Sequence, residues 1–173
     1  MIKAVIFDCF GVLTVDSWRE FRAPLNGQYN LKALELTRAY DMGHIDENQL
    51  ASEVADMLNV PAEVALAANK PKNQKNIALL AYIQQLRARG LKIGMLSNIN
   101  SNWVREAFLS SEEQALFDDF VLSYDIKLAK PDPAIFRLVA SRLSLKPEEC
   151  VLVDDVDFYC QAAQAEGMKA IIY

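Results

Sequence analysis

The sequence predicts an α/β fold, a doubly wound parallel sheet with helices on both faces. Short continuous apolar runs end in acidic residues or in Ser and Asn, which is typical of strands buried on both faces. Longer stretches with helical spacing of apolar residues alternate with these runs. The length of 173 residues fits one domain, alone or with an insertion.

Five apolar runs are expected to be the strands of this sheet. They cover residues 3–8, 91–97, 117–123, 150–154 and 169–173. The stretch 76–89 should be a crossover helix that ends at Gly90. A later helix should start at Pro133 with Asp132 as its N-cap, because its apolar residues recur every four positions. Those residues are Ile135, Val139 and Leu143.

Residues 16–75 are expected to form a small helical cap inserted into a core made of residues 1–15 and 76–173. Leucines between Leu31 and Leu58 follow a helical period with no intervening strand, and Asp46 is placed as an N-cap. The stretch 59–75 resembles a return linker. The alternative is that these helices pack directly on the sheet. The insertion is favoured because a direct crossover needs far fewer residues.

Charge and composition exclude several classes of protein. Lys and Arg number 18 against 23 Asp and Glu, giving a net charge of −5 with no basic cluster, so neither nucleic acid nor a membrane surface is an expected partner. The N-terminus does not resemble a signal peptide, and no apolar run approaches the roughly 18 residues of a membrane span. Three cysteines without metal-binding spacing indicate reduced thiols and a cytoplasmic location. The oligomeric state is not predicted.

Residues that can do chemistry stand where the predicted strands end. Asp8 ends the first strand, Ser97 and Asn98 the second, and Asp154 with Asp155 the fourth. Lys130 precedes the helix that starts at Pro133. Ligands of open parallel sheets bind at this edge, so three carboxylates, an ammonium and a hydroxyl should converge there. Clustered carboxylates of this kind suggest Mg²⁺, and a carboxylate can also attack phosphorus.

Four segments, in order, carry a family resemblance: 7–13 (FDCFGVL), 96–98 (LSN), 130–133 (KPDP) and 153–155 (VDD). They resemble the four motifs of the haloacid dehalogenase-like (HAD) hydrolase superfamily, and the predicted insertion falls where that family has its small C1 cap. The resemblance implies a Rossmann-like core, a Mg²⁺ cofactor and a small phosphorylated substrate. It also implies roles for individual residues: Asp8 as nucleophile, Ser97 and Lys130 as catalytic groups, Ser97, Asn98 and Lys130 in substrate binding, and Asp8, the Phe10 carbonyl, Asp154 and Asp155 as metal ligands.

Phe10 is a departure from the phosphatases of this family, which usually have a second aspartate there. That aspartate protonates the leaving oxygen and then activates water, a contribution of roughly 10²- to 10⁴-fold. The dehalogenase branch resembles this chain in its aromatic residue, but it works without metal and does not resemble it at Asp154 and Asp155. We therefore place a phosphatase ahead of a 2-haloacid dehalogenase. A HAD relic that binds a phosphorylated ligand or a partner without turnover is the third hypothesis.

The residues near the first motif leave further assignments open. Replacement proton carriers could be Asp16, Asp41, His44 or Asp46. Arg19 and Arg22 are expected to have surface or packing roles, with anion binding as the alternative. Cys9 is expected to be a buried structural thiol, because no base is identifiable near it.

Overall fold

The computed structural model describes all residues, 1–173, and contains a five-stranded parallel sheet. The strand order is β3-β2-β1-β4-β5, and every adjacent pair is parallel. The strands are β1 (Ala4–Phe7), β2 (Lys92–Ser97), β3 (Asp119–Leu122), β4 (Cys150–Asp154) and β5 (Lys169–Ile172). All five predicted strands are confirmed, with ends that differ by up to two residues.

Helices cover both faces of the sheet, as predicted. In chain order the helices are α1 (Ser17–Arg22), α2 (Gly27–Asp41), α3 (Glu47–Leu58), α4 (Ala62–Asn69), α5 (Ile77–Ala88), α6 (Ser111–Gln114), α7 (Ser123–Ile126), α8 (Pro133–Arg142) and α9 (Asp157–Ala165). A π-helical turn (Val104–Phe108) and a 3₁₀ turn (Pro147–Glu149) complete the set. The crossover helix α5 is followed by Gly90 at φ +84°, and the Asp132 side chain caps α8.

Alternate residues of the central strand β1 point into two separate apolar clusters. Val5 and Phe7 pack with residues of α5 and of the segment after β2. Ala4 and Ile6 pack on the other face, mainly against α8. This alternation follows from the two-residue period of a strand, and it makes β1 the centre of the core.

Helices α1 to α4 lie between β1 and the crossover helix and have an apolar cluster of their own, centred on Leu50, Val54 and Trp18. On this basis we propose that residues 16–75 act as a cap. Asp46 caps α3, as expected, by accepting from the Gln49 amide. The interpretation of residues 59–75 as a linker was wrong, since they contain α4. This segment is rich in alanine, a strong helix former, and Pro61 stands just before the first helical residue.

The expectations for the cysteines and for membrane-spanning segments can also be compared with the structure. All three cysteines are buried and unpaired, and burial raises the pKa of the Cys9 thiol well above its ordinary value, so it stays protonated. No helix is both long and apolar enough to pass through a bilayer.

Candidate functional site

The register of the sheet brings the first and fourth motifs side by side. Phe7 pairs with Val153, so Asp8 and Asp154 follow at the same level of the neighbouring strands β1 and β4. The Asp8 amide donates to the Val153 carbonyl at 2.9 Å, which extends the ladder by one bond. Oxygen atoms of Asp8, Asp154 and Asp155 all lie within 4.8 Å of one another. The predicted carboxylate cluster is therefore present in the structure.

Lys130 is buried between two of these carboxylates. Its Nζ lies 2.9 Å from Oδ2 of Asp8 and 2.5 Å from Oδ2 of Asp154. The same ammonium lies 5.0 Å from the centroid of the Tyr159 ring on α9, a cation–π geometry. A buried ammonium with two carboxylate partners is well compensated, so this trio is preassembled.

Asn98 fixes the backbone of Lys130. Its side-chain oxygen accepts from the Lys130 amide at 2.8 Å, and its side-chain nitrogen donates to the Lys130 carbonyl at 3.0 Å. These two bonds tie the segment before α8 to the end of β2. They give Asn98 a positioning role, while its predicted direct contact with substrate stays a prediction.

Ser97 ends β2 with a buried side chain whose Oγ has no hydrogen-bond partner. A buried hydroxyl without a partner is unusual and destabilising unless a ligand completes it. Ser97 was predicted to contact the transferred group, and an incoming anion would supply the missing acceptor.

Burial dominates the electrostatics of this edge. It raises the pKa of Asp8 to about 7, an effect that the charge of Lys130 opposes and that of Asp154 reinforces. For Lys130, burial alone would lower the pKa, but the charges of Asp154 and Asp8 outweigh it and the pKa lies above its ordinary value. Burial also raises the pKa of Asp155, with the charge of Arg19 acting against it. Lys130 is therefore the permanently charged member of the group.

The turn after β1 leaves room for Asp155. Gly11 has φ +77°, and a Cβ built there would overlap the Asp155 carboxylate, so only glycine fits. The backbone carbonyl of Phe10 in this turn accepts no hydrogen bond from the protein. Arg19 of the cap pairs with the Asp155 side chain.

This donor set fits a Mg²⁺ ion. Asp8, Asp154 and Asp155 offer hard carboxylate oxygens within 4.8 Å of one another, which is the kind of set that Mg²⁺ takes together with water and phosphate. The unpaired Phe10 carbonyl stays a predicted fourth ligand. When all three are ionised, the carboxylates outnumber the two cations Lys130 and Arg19 by one negative charge. The cluster is thus electrostatically suited to a further cation.

A cavity of about 700 Å³ lies between this sheet edge and helices α1, α2 and α4. The Phe10 side chain lines it and stacks on Trp103 at a ring-centroid distance of 5.9 Å. An aromatic ring carries no transferable proton, so the side chain two residues after Asp8 cannot act as an acid or a base.

Of the four proton carriers considered, two reach the cavity. Asp16 and Asp41 line it. His44 is exposed and does not line it, and Asp46 caps α3. Burial raises the pKa of Asp41 to about 8, with the charges of Asp16 and Asp8 adding to the effect and those of Arg22 and Lys130 opposing it.

Several groups in and near the cavity leave no recognisable signal in the sequence. Trp103 and Tyr159 line it from the core, and neither belongs to a recognised motif. Ser123 joins cap to core, because its hydroxyl lies 2.9 Å from the Asp41 carbonyl and accepts from the Ile99 amide at 2.8 Å. The expected surface or packing roles of the arginines agree with their positions: Arg19 is exposed and pairs with Asp155, and Arg22 is buried against the cavity. Anion binding by either arginine stays a prediction.

Comparison with known proteins agrees with this geometry. A family model described as haloacid dehalogenase-like hydrolase matches residues 2–167. "Phosphatase MT3486" of Mycobacterium tuberculosis is 28% identical over 192 aligned residues, which cover 99% of this chain and 87% of the relative.

Solved structures of other proteins also superpose on nearly the whole chain. A HAD family enzyme of Bacteroides thetaiotaomicron, in complex with magnesium and inorganic phosphate, superposes with a TM-score of 0.67 at 25% identity, over 99% of this chain and 93% of that one. L-2-haloacid dehalogenase of Xanthobacter autotrophicus, with chloropropionic acid covalently bound, shares the fold with a TM-score of 0.70 at 20% identity, over 98% of this chain and 76% of that one. The family match spans nearly the whole chain, and the chain belongs to the haloacid dehalogenase-like hydrolases.

Proposed function

We propose that the chain is a Mg²⁺-dependent phosphatase that hydrolyses a small phosphomonoester through an aspartyl-phosphate on Asp8. The observation that carries this proposal is the combination of Asp8, buried Lys130 and the unpartnered Ser97 hydroxyl at one sheet edge. The Asp8 Oδ1 accepts from the Cys9 amide at 2.7 Å, so the nucleophile is held in one orientation. The phosphatase-named relative supports the same class of reaction.

In the first step an Asp8 oxygen attacks phosphorus, and the bond from phosphorus to the leaving oxygen breaks as the new bond forms. Lys130 offsets the negative charge brought together by Asp8 and the phosphoryl group. The Ser97 hydroxyl donates to a phosphoryl oxygen. Water then attacks phosphorus as the bond from phosphorus to the Asp8 oxygen breaks, and the water's proton passes to the group that protonated the leaving oxygen. This releases phosphate and restores the Asp8 carboxylate.

Mg²⁺ would be held by Asp8, Asp154, Asp155 and the Phe10 carbonyl, and when bound it supplies positive charge to the phosphoryl oxygens. Asp154 is already oriented for this role, because its Oδ1 accepts from the Val156 amide at 2.9 Å while its other oxygen faces Lys130.

Asp41 is the proposed source of the proton for the leaving oxygen. It lines the same cavity and interacts electrostatically with both Asp8 and Lys130, whereas Asp16 is engaged in capping α1. With a pKa of about 8, the Asp41 carboxyl holds its proton at neutral pH. The cap therefore supplies a protonated carboxyl, whereas Phe10 in the first motif supplies none.

The first test is release of p-nitrophenol from p-nitrophenyl phosphate, with Mg²⁺ and with EDTA. This substrate needs little leaving-group protonation, so it tolerates Phe10 well. We expect Mg²⁺-dependent turnover that falls at least about 10⁴-fold in Asp8→Asn, because the nucleophile is lost. Turnover equal in the native protein and in Asp8→Asn would exclude the mechanism.

One observation favours a second candidate, a metal-independent 2-haloacid dehalogenase. Phe10 places an apolar ring beside Asp8, and release of a halide needs no acid there. Halide release from 2-chloropropionate that is indifferent to EDTA would favour this reaction. Tight binding of Mg²⁺ and phosphate without turnover of any substrate would instead favour a binding protein.

A further inference from the structure

Arg22 is a buried cation without a partner. It is the last residue of α1 and is 9% exposed, and its Nε has no hydrogen-bond partner. Its guanidinium takes part in no ion pair, whereas the arginines that form ion pairs lie nearer the surface. The side chain lines the cavity shared with Asp8 and Lys130. A buried guanidinium that lacks an ion-pair partner is unfavourable, so this one is suited to an anion that enters the cavity.

None of the protein's own acids forms an ion pair or a hydrogen bond with the Arg22 side chain. Asp16, Asp41 and Tyr159 are the acidic groups around it, and Arg19 is the nearby cation. The Asp16 carboxylate offsets part of the Arg22 charge at a distance, but it accepts its hydrogen bond from the Arg19 amide, at 2.8 Å, as the cap of α1. Burial raises the pKa of Asp41 to about 8, so this carboxyl is mostly protonated at neutral pH. Burial lowers the pKa of Arg22, yet an arginine stays charged at neutral pH.

A second group on the same helix is also incomplete. The Ser17 hydroxyl at the start of α1 is buried without a hydrogen-bond partner, and Ser17 lines the cavity as well. Helix α1 therefore places two side chains with unpartnered polar atoms, Ser17 and Arg22, in the wall of the same cavity. Their donors match the acceptor oxygens of a carboxylate or a phosphate, for which a guanidinium fork is well shaped.

We infer that Arg22 binds a second anionic group of the substrate, so that the preferred substrate is a small phosphomonoester that also carries a carboxylate or a second phosphate. This inference rests on the proposed function, because it assigns the first phosphate to Asp8 and Lys130. The cavity of about 700 Å³ has room for such a molecule between the two positive groups. Arg22 then selects the substrate, while the sheet edge performs the reaction.

Binding to the Asp8→Asn background in the presence of Mg²⁺ tests the inference without turnover. Calorimetry compares 3-phosphoglycerate with glycerol 3-phosphate, which differ by a carboxylate in place of a hydroxymethyl group. Propane-1,3-diol bisphosphate probes the second phosphate as the alternative anion. We expect at least one of the two probes with a second anionic group to bind about tenfold or more tightly than glycerol 3-phosphate, and the tighter one identifies the anion.

The preference should depend on Arg22 alone. Arg22→Met keeps the apolar stem and should reduce the affinity ratio to near one. Arg38→Met, which removes an exposed, unpaired charge from α2 of the same cap, should leave the ratio unchanged. Arg22→Lys keeps the charge without the planar fork and should retain part of the preference, which covers the case that Arg22→Met does not fold.

Two results would overturn the inference: equal affinity for all three probes in the Asp8→Asn background, or a preference that survives Arg22→Met. Failure of the proposed function is a separate result. It would appear as absent p-nitrophenyl phosphate turnover in the protein with Asp8 intact, whatever the affinity ratios are.

Discussion

The two ends of the cavity differ in how well their polar groups are satisfied. At the sheet edge, Lys130 pairs with both Asp8 and Asp154 within 2.9 Å, and Asn98 holds the backbone of the lysine with two hydrogen bonds. At the cap end, Ser17 and Arg22 have buried polar atoms without any partner.

This difference separates the proposed reaction site, at the sheet edge, from the proposed substrate-selecting site, at the cap end. The sheet edge is preorganised, so its groups need little rearrangement before reaction. The cap end is incomplete, which costs stability but leaves donors free for a ligand. Ser97 is the exception at the sheet edge, and its unpartnered hydroxyl lies where the phosphoryl group is proposed to bind.

The largest expected effect comes from removing the cation of the sheet edge. Lys130→Met leaves Asp8 and Asp154 buried side by side, so the free energy of unfolding should fall by about 3–5 kcal/mol. For a chain of this length the corresponding drop in Tm is roughly 6–20 °C. Turnover of p-nitrophenyl phosphate should fall at least about 100-fold, because a charge-stabilising group is lost. Thermal melts and steady-state rates measure both effects.

Lys32→Met is the matched control for that substitution. Lys32 pairs with Glu53 at 2.6 Å, but both side chains are exposed, so its loss should cost at most about 1 kcal/mol. Similar Tm shifts for the two variants would mean that burial of the Lys130 network has no special weight.

A smaller effect, of the opposite sign, is expected from restoring a carboxyl in the first motif. On the Asp41→Asn background, Phe10→Asp should raise the turnover of alkyl phosphates by about 10²-fold, since the new acid replaces the proton source that Asp41 is proposed to be. Phe10→Asn on the same background is the control, because asparagine has nearly the same size and loses the same stacking on Trp103 without supplying a proton. The informative quantity is the ratio of the two variants' kcat values; a ratio near one would show that leaving-group protonation does not limit the reaction.

How much of the structure the sequence predicted depends on whether a feature follows from a local sequence pattern or from contacts between distant segments. The sheet edge was predictable because apolar runs mark strands, and parallel strands bring Asp8 and Asp154 to one edge whatever the details of packing. Four spaced motifs then located Ser97 and Lys130. Asn98 was recognised as a site residue, but its bonds to the Lys130 backbone depend on how two distant segments meet.

The cap was predicted only in outline, for a physical reason. Helix α1 has six residues, too few for a helical period to show which side is buried, so the burial of Arg22 left no sequence signal. Helix α4 was missed because Pro61, Pro71 and a polar stretch after it resembled a linker, while its alanines gave no amphipathic pattern. Both outcomes depend on packing between short helices rather than on local pattern.

The smallest expected effect concerns Asp41, which lies on the cap side of the cavity. Because burial raises its pKa to about 8, the folded protein holds a proton that the unfolded chain loses above about pH 4. The free energy of unfolding should therefore fall as the pH rises from about 4 to about 8. Asp41→Asn removes this titration and should melt at least about 2–4 °C higher than the native protein at pH 8.5, which corresponds to at least ~1 kcal/mol, with a smaller difference at pH 5.

The same substitution also tests whether the Asp41 carboxyl takes part in the reaction. If Asp41 protonates the leaving oxygen, Asp41→Asn should lower the turnover of alkyl phosphates about tenfold or more and leave that of p-nitrophenyl phosphate nearly unchanged. Asp56→Asn, on the exposed side of α3, should change neither the melting profile nor the rates. Parallel Tm curves for the native protein and Asp41→Asn between pH 5 and 8.5 would contradict the raised pKa, and equal losses on both substrates would assign Asp41 to positioning instead of proton transfer.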